Sequence, residues 1–182
     1  MRWTHAIGRL AIASAMGAAI MAGPVSGPAD AATRCHTPWG SLSKQALWTY
    51  VDLSELADGP NAHLAGLRSA RHRCFDRLVL DFDEFKVQGF EVSYVNEVRF
   101  EHGSVMPLAG VAFLNIDVNA PYVPTEQSSL LPLTGYRTFR QVTLNSSANV
   151  SLGVRARLPF RVLALDGPGD GSRLVIDVAH RW

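Results

Sequence analysis

The sequence predicts an all-β domain, an antiparallel β-sandwich with a short N-terminal arm tied to it, on three observations. From His63 onward, apolar and polar residues alternate with period two in short runs rich in Val, Leu, Ile and Phe. Turn formers separate the runs, at Gly103-Ser104, Pro107, Ala109-Gly110 and Gly167-Pro168-Gly169-Asp170-Gly171. After residue 62 no long stretch repeats at the 3.6-residue spacing of an amphipathic helix. Short antiparallel strands, each with one dry face, pack as a sandwich or barrel.

In chain order, residues 1–31 read as a cleavable secretory signal peptide. Arg2 and Arg9 make a positive start, and the uncharged apolar run 10–22 is shorter than the roughly 20 residues that cross a bilayer. Gly23, Pro24, Gly27 and Pro28 then break the chain before Ala29-Asp30-Ala31, a small-x-small cleavage site that would leave Ala32 as the first mature residue. The residues before Cys35 do not form a lipid-attachment box, so the mature chain is expected to be soluble, secreted, and extracellular or wall-associated. Residues 32–62 form the arm, in which 41–51 is expected as a short helix with Leu42, Ala46, Leu47 and Tyr50 on one side, ended by Gly59-Pro60-Asn61.

The sandwich domain spans 63–182. Leu78, Leu80 and Phe82 alternate with Arg77, Val79, Asp81 and Asp83, and Phe90, Val92 and Tyr94 follow. Further strands are expected at 111–118, 138–144, 149–158, 160–165 and 173–179, with 120–135, which holds Pro121, Pro124 and Pro132, as a long exposed connection. One internal echo stands out: the run Arg77-Leu78-Val79-Leu80-Asp81-Phe82 returns as Arg173-Leu174-Val175-Ile176-Asp177-Val178. In each copy the Arg and the Asp share the face opposite the core residues. The repetition suggests a roughly symmetric sandwich.

The charge is near balance overall, with 17 basic and 16 acidic side chains, but unevenly spread. Residues 32–134 hold 8 Lys or Arg against 12 Asp or Glu, whereas 135–182 hold 7 Arg against 3 Asp. Arginine forks suit carboxylate and phosphate, so the second half could face an anionic polymer, or the halves could neutralise each other across the fold. No nucleic-acid-binding module is recognisable. Cys35 and Cys74 are the only cysteines. In an oxidising compartment an even pair points to a disulfide, worth about 4 kcal/mol for a loop of this length in the chain-entropy model. A metal site shared with His36 and His72 is the rival, although zinc takes four ligands at tight spacing and no second close pair exists.

Several blocks resemble the bacterial AMIN-like domain proteins. They are Cys35 with Trp39-Gly40-Ser41-Leu42, the run from Arg71 through Phe75-Asp76-Arg77-Leu78-Val79, the run from Gly135 to Val142, and the closing stretches 153–162 and 172–182. The resemblance covers nearly all of the mature chain. It implies a β-sandwich related to the AMIN domain, an accessory module of cell-wall amidases and secretins associated with peptidoglycan binding and with placing its host in the envelope. It brings no catalytic residues. Asn145-Ser146-Ser147-Ala148-Asn149 replaces the Gly- and Phe-containing loop that the family pattern would have there.

The side chains that could carry chemistry agree with a binding module. Gly-x-Ser-x-Gly is absent, and His36, His63, His72, His102 and His180 lack zinc-ligand spacing. Asp81, Asp83 and Glu84 form the one carboxylate cluster a glycoside hydrolase could use, and alternating acids on a solvated strand read equally well. No catalytic residue, metal or cofactor is expected. Tyr136 with Arg140, and Arg77 with Arg173, are the candidate glycan-binding residues, because wall polymers present carboxylates and sugar rings to Arg forks and aromatic faces. Arg77 and Arg173 are equally suited to cross-strand ion pairs with Asp81 and Asp177. The expected partner is peptidoglycan or another anionic wall polymer, bound by a monomer. The alternative is docking to another envelope protein through the exposed strands.

Overall fold

A computed structural model describes residues 35, 37–46, 63–83, 87, 89–100, 102–118, 129–144, 149–167 and 169–182. The expected signal peptide, residues 1–31, lies outside them, as do residues 47–51 of the expected helix. The described chain is all β. Ten strands run in order as β1 (Lys44–Ala46), β2 (His63–Arg71), β3 (Phe75–Asp83), β4 (Phe90–Val95), β5 (Ala112–Val118), β6 (Ser129–Pro132), β7 (Phe139–Leu144), β8 (Asn149–Val154), β9 (Phe160–Asp166) and β10 (Ser172–Ala179). They form a six-stranded sheet, β1-β4-β5-β8-β7-β6, and a four-stranded sheet, β2-β3-β10-β9. Every pairing is antiparallel.

The period-two pattern dictates what lies between the sheets. Leu78, Leu80 and Phe82 of β3 and Leu174, Ile176 and Val178 of β10 pack in one buried cluster with Val92, Leu114, Ile116, Phe139, Val142, Leu152 and Val154 of the larger sheet. Truncating any one of the Leu, Ile or Phe side chains among these to Ala would cost about 2–5 kcal/mol by lost transfer energy and cavity formation. Tyr94 closes one end of the core. Its hydroxyl donates to the Leu158 carbonyl at 2.8 Å and accepts from the Leu158 amide at 2.9 Å. Burial pushes its phenol up to about 12, against smaller opposing effects of the Leu158 backbone bond and the Arg157 charge.

The two related strands, near the two ends of the domain in sequence, are the two central strands of one sheet. β3 and β10 pair so that Arg77 faces Asp177 and Arg173 faces Asp81, and the repeated motif is thus complementary to itself when it runs antiparallel.

Three elements differ from the sequence reading. The described part of the expected 41–51 helix is not helical: Lys44–Ala46 is a strand on the edge of β4, with Ala46 against the core and Leu42 fully in solvent at 77% exposure. Strand pairing supplies backbone partners there that a helix with so little to bury would lack. Ser129–Pro132, inside the expected connection, is the short outer strand β6, where Pro is tolerated because no further strand needs its missing N–H. The strand expected over 149–158 ends at Val154, and Leu158 and Pro159 lie in the link to β9.

The arm is stitched to both sheets. Cys35 and Cys74 form a disulfide with Cα atoms 5.1 Å apart, so neither sulfur is a thiolate for metal. The Gly40 carbonyl accepts from the Phe160 amide at 2.9 Å, and β1 completes the six-stranded sheet. On the other side of that sheet the segment 98–111 lies as a strap, its Val98, Met106 and Leu108 forming a second small cluster with Phe113. The approach is close: a Cβ on Gly153 would fall 1.9 Å from the Ala109 carbonyl oxygen, so only Gly lets the strap pass.

Candidate functional site

Residues of β3 and β10 that do not enter the core emerge together on the outer face of the four-stranded sheet. Side chains of four strands meet there. Arg68 and Ala70 come from β2, Arg77, Val79 and Asp81 from β3, Arg173, Val175 and Asp177 from β10, and Arg161, Leu163 and Leu165 from β9. The long guanidinium stems stand around Val79 and Val175, which are only 9% and 4% exposed although they point away from the core. The result is a shallow groove of about 650 Å³, with Val79 and Val175 as floor and Arg68, Arg77, Arg173, His72 and Leu165 along its walls.

The charges in this face are ordered by cross-strand pairing. Asp177 is fully buried and accepts a two-pronged bond from Arg77, Nε to Oδ1 at 2.6 Å and Nη2 to Oδ2 at 2.8 Å. Arg161 donates to the same carboxylate at 2.8 Å. On the neighbouring side Arg68 forks onto Asp81 at 2.5 and 2.6 Å. These bonds hold both guanidinium groups above their ordinary pKa. Arg173 is the exception. Among the described residues its Nη2 donates to the Asp166 main-chain oxygen at 3.1 Å, and its buried Nε has no partner.

One end of the groove is aromatic. His72 stacks on Phe75 with ring centroids 4.5 Å apart, and Trp39 meets Phe75 edge to face at 5.5 Å. Arg161 lies over the Trp39 ring at 4.5 Å, and Arg77 over Phe75 at 5.3 Å. The disulfide is adjacent, since Cys74 precedes Phe75 and Cys35 lies four residues before Trp39. Arm, disulfide and sheet face thus make one surface of forked cations, flat rings and a small apolar floor. Such a surface can hold a carboxylate and a sugar or methyl group side by side.

The four candidate residues divide between two places. Arg77 and Arg173 share the groove. Tyr136 and Arg140 do not reach it. Tyr136 packs on the core, with its ring 5.5 Å from Phe139 and its hydroxyl bonded to Ser69 Oγ at 2.7 Å. Arg140, on β7, curls onto main-chain oxygens of its own segment, the shortest bond being 2.8 Å to Phe139. The sequence reading missed Arg68, Arg161, His72 and Trp39 as members of the face. A signal existed for two of them, because Trp39 and His72 each sit within a few residues of a disulfide cysteine.

The other histidines are held elsewhere. His102 bonds Ser104 Oγ at 2.7 Å on the exposed strap, and His180 is buried against Asp76 at 2.9 Å. On the outer side of the six-stranded sheet, Asn115, Asp117, Asn149 and Ser151 bond one another. Burial and the nearby Glu91 raise the Asp117 carboxyl above its usual range. Residues 145–148, the other members of the unusual loop, lie outside the described residues. Among the described residues no group of three or more His, Cys, Asp or Glu could hold a metal, and no helix is long and apolar enough to cross a membrane.

Residues 62–180 match the family model described as AMIN-like domain. No curated protein and no solved structure gives a significant match to the chain.

Proposed function

This chain belongs to the AMIN-like domain family, and we propose on that premise that it is an exported, non-catalytic module of the bacterial cell envelope that binds peptidoglycan or another anionic wall polymer. The outer face of the four-stranded sheet is the binding surface. The observation that carries this reading is the groove itself, in which arginine forks and the His72 ring border an apolar floor, with Phe75, Trp39 and Arg161 stacked beside it. The disulfide supports an oxidising compartment outside the cytoplasm, and the family supports the envelope. Tyr136 and Arg140 lie outside this groove, with their polar atoms bonded to Ser69 and to main-chain oxygens.

Purified protein should co-sediment with protein-free cell wall and release no soluble fragments from it. Binding should weaken as salt rises, since contacts to exposed charges are screened over about 8 Å at physiological ionic strength. Fragment release would mean an enzyme. Failure to sediment at low salt, with the β-type circular dichroism intact, would point to a protein partner instead.

A further inference from the structure

The echo between β3 and β10 gives the four-stranded sheet an approximate two-fold arrangement of charge, and one member breaks it. Asp177 of β10 receives one arginine from the strand opposite, Arg77, and one from the outer neighbour, Arg161. Asp81 of β3 occupies the corresponding place and receives only its outer neighbour, Arg68. The bond that symmetry would add, from Arg173 to the Asp81 directly opposite, is not made. Arg173 is left with a buried Nε that has no acceptor. Arg173 nonetheless lines the groove, so its guanidinium can take from a ligand the carboxylate that the sheet does not supply.

We propose that Arg173 anchors a single carboxylate, carried on a small apolar or sugar scaffold, in the groove floored by Val79 and Val175. This rests on the groove being the wall-binding surface and names the chemical group that it holds. Charge decides the class. Arg68 is matched by Asp81, and Arg77 and Arg161 share Asp177, so among these arginines Arg173 is the one bonded to no carboxylate of the described residues. One guanidinium without a carboxylate fits a planar carboxylate, whereas the second charge of a phosphate dianion would fall beside Asp81 directly opposite. The floor fits a methyl group or the apolar face of a sugar next to that carboxylate. Asp81 sets the strength of the site. It faces Arg173 in register at the roughly 5 Å spacing of cross-strand pairs, and so competes with the ligand for the same guanidinium.

The test follows backbone amide shifts in the isotope-labelled protein during titration with N-acetyl-D-alanyl-D-alanine, its methyl ester, N-acetylmuramic acid and inorganic phosphate. One of the two carboxylates should shift the amides of Val79, Arg173 and Val175. The dipeptide doing so identifies a peptide stem as the source, and the muramic acid identifies the sugar's lactyl group. The ester should not bind. Arg173→Gln should weaken binding about tenfold, the loss expected for a charged hydrogen bond. Asp81→Asn removes the competitor and frees the Arg68 fork, so it should tighten binding severalfold. Equal binding of acid and ester, phosphate acting at lower concentration than either carboxylate, or an unchanged affinity in Arg173→Gln would overturn the proposal. Protein that sediments with wall but shows none of these shifts keeps the wall-binding reading and loses this one. Protein that takes the carboxylate without sedimenting does the reverse.

Discussion

Replacing Asp76 by Ala is expected to lower the free energy of unfolding by about 3–5 kcal/mol, the cost of removing one partner from a buried charged network. Asp76 is fully buried at the start of β3. One carboxylate oxygen accepts from the Thr138 amide at 2.6 Å, and the other meets His180 Nε2 at 2.9 Å. His180 in turn lies 3.2 Å from the Arg73 carbonyl through Nδ1, bonds the Cys74 carbonyl through its own amide at 2.9 Å, and receives Arg155 at its carbonyl. The network therefore fastens the turn between β2 and β3 to the start of β7 and the end of β10. Ala would strand the Thr138 N–H and the His180 ring in a place closed to water. Asp76→Asn keeps the volume and an acceptor for Thr138, so it should cost less. Urea unfolding followed by circular dichroism measures both, and a loss below about 1 kcal/mol in Asp76→Ala would show that the network can be rebuilt with water.

Removing the disulfide is the second large effect. The double change Cys35→Ser with Cys74→Ser should destabilise the protein by about 4 kcal/mol, the chain-entropy value for a closed loop of this size. The consequence is not confined to stability. Trp39 is held between the Phe75 edge and the Arg161 guanidinium, so releasing the arm should shift Trp39 fluorescence to the red and open residues 35–46 to protease before the sandwich itself is cut. The same outcome is expected from reduction of the native protein. Unchanged unfolding midpoints with and without reductant would contradict it.

How much of this was legible depends on whether a residue's neighbours are local. In β3 and β10 the apolar residues at alternate places are those that enter the core, so both strands and their core-facing sides could be read directly. β2 hides its alternation behind a bulge between Leu64 and Gly66, where the register shifts and the period of two slips. β1 presents Leu42 and Ala46 four residues apart, which imitates a helix face, and only pairing with β4 makes it a strand. The candidate site follows the same rule. Arg77 and Arg173 were visible because a repeated motif announced them. Arg68 reaches the groove, and Arg161 and Trp39 the surface beside it, only through strand order and the disulfide, which no local pattern encodes. Tyr136 and Arg140 were visible as a conspicuous aromatic and cationic pair, but β7 belongs to the other sheet and keeps them from the groove.

The most direct test of the central claim compares two single variants in sedimentation with purified wall at low salt. If the outer face of the four-stranded sheet is the binding surface, Arg173→Ala should leave most of the protein in the supernatant while Arg140→Ala sediments like the unaltered chain. Both remove one arginine charge, so general stickiness to an anionic polymer would not weaken Arg173→Ala more than the more exposed Arg140→Ala. Equal loss in both variants, or loss in Arg140→Ala alone, would contradict the account.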